Sequence, residues 1–216
     1  DALNNLGYCY FNGKGVDIDF NKAFELFKRS AKLGNSKAMC SVGNCYKNGK
    51  GVESDIDKAI EFFEKAAAMG NSSGFNNLGN CYRYGDGVEK DYVKAVSFYE
   101  KAASLGNSNA LWNLANCFMK GKGVLIDMPK ALALLEEAAK QNNPNAMNSL
   151  GDLLVGGERG QIEVSRGLEF YRRASELGSS DGSFKLGECY RSGIGVDKDY
   201  EKAIELYRKS IEQGKF

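Results

Sequence analysis

Six cysteines are the residues of this chain that could do redox or metal chemistry, and five of them recur at multiples of 36 residues. These five are Cys9, Cys45, Cys81, Cys117 and Cys189. Equivalent positions on stacked helices lie about 8–10 Å apart, whereas the Cα atoms of a disulfide lie about 4.4–6.8 Å apart. The sixth, Cys40, lies on a different face of one predicted helix from Cys45. The spacing therefore predicts six free thiols, five of them small core residues, and a reducing, cytoplasmic location.

Other reactive groups are scarce. The chain has no histidine, and so lacks the commonest general base and the commonest metal ligand. Its Gly-Lys-Gly segments are interpreted as turns that stop helices, because no Gly-x-x-x-x-Gly-Lys-Ser/Thr phosphate-binding loop occurs. Aspartate and glutamate fall at predicted helix caps and exposed helix positions, not in a convergent acid–base group. The sequence predicts a protein that is not an enzyme and holds no cofactor or metal.

Composition and charge narrow the class of partner. The formal net charge is +1, without the basic excess typical of nucleic-acid binding. No apolar run approaches the roughly 18 residues that a membrane span requires, so membrane insertion is not expected. At 43% hydrophobic residues the chain can bury a continuous core. One glycosylation sequon, Asn71-Ser72-Ser73, leaves the lumen of the endoplasmic reticulum open as an alternative location.

A 36-residue repeat organises the whole chain. The predicted single array, residues 1–216, has repeats at 1–36, 37–72, 73–108, 109–144, 145–180 and 181–216. A Gly-x-Gly-Val signature stands at Gly13–Val16, Gly49–Val52, Gly85–Val88, Gly121–Val124 and Gly193–Val196, with a degenerate copy at Gly157–Gly160. A fixed period of this length indicates a solenoid in which each unit packs only on its neighbours.

The third repeat illustrates the predicted helix pair. Apolar and small residues of 73–84 fall on one side at helical periodicity, which predicts a first helix, called helix A. Glycines at 85 and 87 end it. A second helix, called helix B, follows an acidic N-cap and runs to Ala103. Each repeat has an acid at the cap: Asp19, Asp55, Asp91, Asp127, Glu163 and Asp199.

These residues resemble Sel1-like repeats, which are relatives of tetratricopeptide repeats. The resemblance rests on Ala-x-x-x-Leu-Gly-x-Cys-Tyr, Gly-x-Gly-Val, Asp-x-x-Lys-Ala, an Ala-Ala pair and Gly-Asn, and covers the chain in six registers. It implies an all-α, right-handed superhelix (an α-solenoid) of antiparallel helix pairs that acts as an adaptor or scaffold for other proteins. The chain lacks the second cysteine per repeat of the family's secreted, disulfide-bonded branch. A regulatory or targeting segment of a larger enzyme is the alternative function.

The fifth repeat departs from this pattern. Leu153 and Leu154 replace Cys-Tyr, Arg159 and Gly160 replace the second glycine and the valine, and Gly167 replaces an alanine. One interpretation is drift within one repeat. The other is a local change of superhelix pitch, or a docking loop at 156–161.

Helix A also has a polar side, at repeat positions 1, 4, 5, 8, 11 and 12, within about 120° of arc. In the tetratricopeptide family the equivalent positions line a concave groove. The residues predicted to bind a partner there are Asn5, Asn44, Lys47, Asn77, Asn80, Arg83, Tyr84, Trp112, Asn113, Asn116, Lys120 and Phe184.

The residue types on this side suit a protein or extended peptide. An asparagine amide can donate to and accept from one peptide unit, so a row of asparagines could hold a peptide backbone. Trp112 and Phe184 are typical interface anchors. Lys47, Arg83 and Lys120 favour an acidic segment. The alternative is an ordinary solvated face in a chain whose first 148 residues are rich in asparagine.

The two ends of the array lack polar capping helices. Leu206 and Tyr207 in the last helix, and the whole first helix A, are expected to expose apolar edges. The chain also begins at Asp1 within a repeat. We therefore expect a fragment of a longer chain, with further repeats, another domain or an end-to-end or homo-oligomeric contact covering these edges.

Overall fold

The structure is a computed structural model that describes residues 1–156 and 161–214, within which the chain forms twelve helices and no strand. The helices are α1 (Ala2–Asn12), α2 (Phe20–Lys32), α3 (Ser36–Asn48), α4 (Ile56–Ala68), α5 (Ser72–Tyr84), α6 (Tyr92–Ser104), α7 (Ser108–Lys120), α8 (Met128–Lys140), α9 (Pro144–Val155), α10 (Gln161–Glu176), α11 (Ser180–Ser192) and α12 (Tyr200–Glu212). Odd-numbered helices are the predicted helices A and even-numbered ones the predicted helices B. The predicted all-α solenoid of six helix–turn–helix repeats is confirmed.

The chain divides into two compact units. Unit 1 comprises residues 1–110 and 121–125, and unit 2 comprises residues 111–120 and 126–216. In unit 1 the core contains Phe27, Val42 and Phe63, all 1% exposed or less. In unit 2 it contains Leu168, Tyr171, Leu186, Cys189 and Leu206.

Glycine in the turns serves two purposes. The first glycine of the signature ends helix A in the left-handed conformation, as at Gly49 (φ 64°), which confirms the predicted stop. The second lies against the start of the preceding helix B. A Cβ on Gly51 would be 2.0 Å from the Phe20 carbonyl oxygen, and one on Gly123 would be 2.3 Å from that of Tyr92. The second glycine therefore lets adjacent repeats approach closely.

Five of the six predicted acidic N-caps are confirmed. In each, a carboxylate oxygen accepts a backbone N–H in the first turn of helix B; the five are Asp19, Asp55, Asp91, Asp127 and Asp199. The prediction for Glu163 is wrong, because α10 already begins at Gln161. Glu163 instead lies in the first turn and pairs with Arg166 at 3.2 Å. The degenerate turn at 157–160, and with it the predicted docking loop or change of pitch, lies outside the described residues.

A second set of N-caps escaped the sequence analysis. Helices A begin after Asn35, Asn71, Asn107, Asn143 or Ser179, whose side-chain oxygens accept first-turn N–H groups. Asparagine can also donate, and it donates to the preceding repeat. Asn71 Nδ2 lies 3.1 Å from Ser36 Oγ, and Asn107 Nδ2 lies 3.4 Å from Ser72 Oγ. These caps therefore join neighbouring repeats as well as starting helices.

Helices A and B of one repeat meet at a glycine and an aromatic ring 20 residues apart. A Cβ on Gly43 would lie 2.5 Å from Phe63 Cε1, and one on Gly79 would lie 2.5 Å from Tyr99 Cε1. A larger residue than glycine would force the ring away. Packing thus explains the Leu-Gly or Val-Gly step that occurs in five of the six repeats.

All six cysteines are free thiols. Four of the repeated ones are 1–3% exposed, while Cys9 is half-buried. Burial raises the pKa of Cys45 and of Cys189 to about 11 and that of Cys40 to about 12. A thiol reacts as its thiolate, and these raised pKa values keep the buried thiols protonated. We therefore interpret them as packing residues of the core. None of the described helices is long and apolar enough to cross a membrane.

Candidate interaction surface

The polar side of the odd-numbered helices, named the helix-A surface, is described for each unit separately. In unit 1 it is formed by α1, α3 and α5, and in unit 2 by α7 from Leu111, α9 and α11. Five of the predicted residues are exposed: Asn5, Asn44, Tyr84, Lys120 and Phe184. Six are half-buried: Lys47, Asn77, Asn80, Arg83, Trp112 and Asn116.

The twelfth predicted residue is misplaced. Asn113 is only 5% exposed, so the prediction that it lies on the exposed side of helix A is wrong. Asn77, at the same repeat position, is half-buried, and Asn5 is exposed. The periodicity of one helix shows its most apolar side but not how far neighbouring helices cover its flanks.

The predicted row of asparagines is not uniform. Asn80 Oδ1 accepts a hydrogen bond from Tyr99 Oη at 2.7 Å, and Asn116 Nδ2 donates to the Trp112 carbonyl at 2.9 Å. Asn44 differs because its helix-B counterpart, Phe63, has no hydroxyl. Its Oδ1 accepts from Asn77 Nδ2 at 3.4 Å, so its Nδ2 is the donor that it can offer to a ligand.

Tyrosine makes the same tie in unit 2, but to acidic residues. Tyr171 donates to Asp152 Oδ1 at 2.7 Å, and Tyr207 donates to Glu188. Burial, and then the hydrogen bond to Asp152, raise the pKa of Tyr171. The hydrogen bond from Arg191, followed by that from Tyr207, lowers the pKa of Glu188. The hydrogen bonds from tyrosine therefore hold the carboxylates of Asp152 and Glu188 in fixed positions on the helix-A surface of unit 2.

Several of the cations are already paired. Lys47 Nζ lies 2.7 Å from Asp86 Oδ2 in the next repeat. Lys185 Nζ lies 2.5 Å from Asp152 Oδ1 in unit 2. The Arg83 guanidinium lies over the Tyr84 ring, 5.2 Å from its centroid. The contribution expected of Lys47 to binding an acidic segment is therefore largely offset by Asp86.

The aromatic anchors differ in exposure. Trp112 is half-buried, and its Nε1 donates to Ser149 Oγ at 3.0 Å, which fixes it against α9. Tyr84 is 59% exposed and Phe184 is 39% exposed, the latter with its ring 5.9 Å from that of Tyr207. Tyr84 and Phe184 are thus better placed than Trp112 to contact a partner, because more of each ring is exposed to solvent.

Unit 1 has a concave site on this surface. A cavity of about 430 Å³ follows α3 and is bordered by the start of α5. Its lining is Tyr8, Ser36, Lys37, Cys40, Asn44 and residues 69–73. Repeat position 1 predicts Lys37 and Ser73 on this side and position 8 predicts Asn44, but the segment 69–72 before α5 was not predicted there. The signal for this segment is the Gly-Asn-Ser-Ser run at 70–73, a helix stop followed by an N-cap.

The glycosylation sequon Asn71-Ser72-Ser73 forms part of the lining of this cavity. Asn71 Oδ1 accepts from the backbone N–H groups of Ser73 and Gly74, at 2.9 and 3.3 Å. Its Nδ2, the atom to which a glycan would be attached, donates to Ser36 Oγ. Asn71 therefore has a structural role in the folded chain.

Comparison with known proteins agrees with the observed architecture. The family model described as Sel1 repeat matches residues 1–35, 36–71, 76–107, 108–143, 144–179 and 180–215. A Sel1 repeat protein from Oxalobacter formigenes is 28% identical, with a TM-score of 0.81, over 97% of this chain and 86% of that one. The protective antigen c5321 of uropathogenic Escherichia coli, which displays an SLR fold, is 37% identical with a TM-score of 0.66.

The extent of these similarities varies. The match to c5321 covers 99% of this chain but 46% of that one, so this chain spans about half of the antigen. The immunity protein Pa5087 from Pseudomonas aeruginosa is similar in fold alone, at 22% identity and a TM-score of 0.75, over 99% of this chain and 81% of that one. No curated protein matches the chain.

Proposed function

Because this chain belongs to the Sel1 repeat family, we propose that it is a non-catalytic adaptor that holds a partner protein or an extended peptide on its helix-A surface. Sel1 repeat proteins generally mediate interactions between proteins, and the family is generally non-enzymatic. The proposal assigns the binding role to the positions of helix A that differ among repeats.

The unit 1 cavity is the observation that carries this proposal. It is lined mainly by hydroxyl, amide and backbone groups that can donate or accept hydrogen bonds. An extended peptide presents one N–H and one C=O per residue, and these need partners when a surface covers them. A cavity with both donors and acceptors suits such a chain better than an apolar ligand.

Exposed aromatic side chains support the same interpretation. Tyr8 and Tyr84 in unit 1 and Phe184 in unit 2 are exposed aromatic residues on helix-A surfaces that also carry many polar side chains. Aromatic residues contribute much of the free energy of protein interfaces, because they bury a large area with few rotatable bonds. The repeated apolar residues, by contrast, are buried in the core and are not available to contact a partner.

Site-specific photo-crosslinking tests this proposal. A benzophenone amino acid at Tyr84 is expected to form a discrete adduct with a partner protein in extracts. The matched control is the same residue at Val93, which is 66% exposed but lies on helix B of the same unit. A partner that crosslinks equally at both positions, or only at Val93, would place the interface elsewhere and contradict the proposal.

A further inference from the structure

Resting on the proposed function, we infer that the unit 1 cavity contains a carboxylate-binding subsite, formed by Lys37 and Asn44, for an acidic side chain or the chain end of a bound peptide. The two carboxylate sources share one chemistry, and peptides that differ only in the source distinguish them.

Charge is the first argument. Among the described residues that line this cavity, Lys37 is the only lysine, arginine, aspartate or glutamate. Its side chain is exposed, and no ion pair formed by the described residues includes it. Lys47 and Lys185, by contrast, each lie within 3 Å of a carboxylate oxygen of the chain itself. The cavity therefore offers one positive charge that the protein does not neutralise.

The amino ends of two helices also lie at this cavity. Both α3 and α5 begin at the cavity, since Ser36 and Lys37 start one and Ser72 and Ser73 start the other. Each helix has 13 residues, and the amino end of a helix carries a partial positive charge. The Ser73 side chain is exposed and can donate a hydrogen bond. The carboxyl end of α4, at Met69 and Gly70, also borders the cavity and carries a partial negative charge, so the positive charge of the subsite comes mainly from Lys37.

Asn44 supplies the second contact. It lies seven residues after Lys37 on α3, on the same face and about 10 Å along the axis. Three residues of an extended chain span about the same distance. A peptide with its carboxylate at Lys37 can thus place a backbone carbonyl at Asn44 Nδ2. Phe63 makes this contact available, because a tyrosine there could hold Asn44 as Tyr99 holds Asn80.

Nuclear magnetic resonance titration of the whole chain tests the subsite with three tetra-alanine-based peptides, each acetylated at its start. One ends in a free carboxylate, one ends in an amide and carries a single glutamate, and one ends in an amide with no charge. We expect the Asn44 side-chain amide and the backbone amides of Lys37 and Ser73 to shift saturably with a charged peptide only. Saturation by the first peptide identifies the bound carboxylate as a chain end. Saturation by the second peptide identifies it as a side chain.

Matched variants make the assignment specific. Lys37→Gln is expected to weaken binding of the charged peptide about fivefold, the effect of losing one partly solvated ion pair and its charge-assisted hydrogen bond. Lys140→Gln removes an exposed lysine at the end of α8 and should leave the affinity unchanged. Equal binding of the neutral and charged peptides would overturn the subsite while leaving peptide binding intact. Absence of saturable shifts with every peptide would also overturn it, and the crosslinking result at Tyr84 stands independently.

Discussion

A single hydroxyl group of helix B holds one residue of the helix-A surface in place in three of the repeats. Where helix B supplies tyrosine, at Tyr99, Tyr171 and Tyr207, its hydroxyl reaches a residue 19 positions earlier on helix A. The acceptor in each case is an amide or a carboxylate. Where helix B supplies phenylalanine, as at Phe63, no hydroxyl is present for that tie, and the Asn44 side chain accepts from its neighbour Asn77 instead.

Removal of one such hydroxyl should have a measurable effect. Tyr99→Phe is expected to lower the free energy of unfolding by about 1 kcal/mol, because a buried ring loses its hydrogen bond to Asn80. Tyr84→Phe removes a hydroxyl from a 59% exposed ring and should change stability by less than about 0.5 kcal/mol. Urea denaturation of both variants checks this. Equal midpoints would show that the Tyr99–Asn80 bond adds nothing to stability.

Between elements, the distance from helix A to helix B is set by a glycine under an aromatic ring. Five repeats have this pair; they are Gly7 with Phe27, Gly43 with Phe63, Gly79 with Tyr99, Gly151 with Tyr171 and Gly187 with Tyr207. The fourth repeat has Ala115 and Leu135 at the equivalent positions, both fully buried. A larger residue on helix A thus accompanies a smaller one on helix B.

The pair of residues in the fourth repeat can be introduced into the third repeat by mutation. Gly79→Ala alone should destabilise the protein by about 2 kcal/mol, because the new Cβ would lie 2.5 Å from Tyr99 Cε1. Adding Tyr99→Leu reproduces the pair of the fourth repeat and should recover part of that loss. A double-mutant cycle measured by chemical denaturation gives the coupling free energy. Strict additivity of the two substitutions would mean that the contact does not determine the helix spacing.

At the scale of the molecule, ionisable groups are distributed through both cores. Buried thiols recur in both units, and burial raises the pKa of Cys45 in unit 1 and of Cys189 in unit 2 from 9.0 to about 11. Burial likewise raises the pKa of Cys81 and, with its hydrogen bond to Glu188, that of Tyr207. All these groups are neutral when protonated, so the folded chain retains their protons more strongly than the unfolded chain does.

Stability should consequently fall in alkaline solution. The contribution of these thiols is complete below pH 9.0, the unfolded pKa, and is lost as the pH rises towards about 11. Each thiol then costs on the order of 2 kcal/mol. Denaturation in reducing buffer from neutral to alkaline pH checks this, with Cys45→Ala expected to show a shallower decline. A flat profile for the parent chain would contradict the role of burial.

The sequence determined the architecture more completely than the surface. Turn glycines and acidic caps act within one repeat, so Gly49 and Asp55 could be assigned from local pattern alone. Burial of Asn113 depends on how neighbouring helices cover it, and the tie between Tyr99 and Asn80 joins two helices. The periodicity of one helix predicts neither the burial of Asn113 nor the hydrogen bond between Tyr99 and Asn80. Glu163 was misassigned because the fifth repeat starts its helix B early.

The asparagine caps have a consequence for how the array comes apart. The side-chain Oδ1 of Asn71 caps α5, and its Nδ2 donates to Ser36 Oγ at the start of α3. Melting of α3 therefore leaves the cap of α5 with one bond fewer, and Asn107 repeats the arrangement one step along. Such nearest-neighbour dependence makes unfolding cooperative over several repeats. A partner bound across α3 and α5 would then slow proteolysis of the flanking repeats that it does not touch.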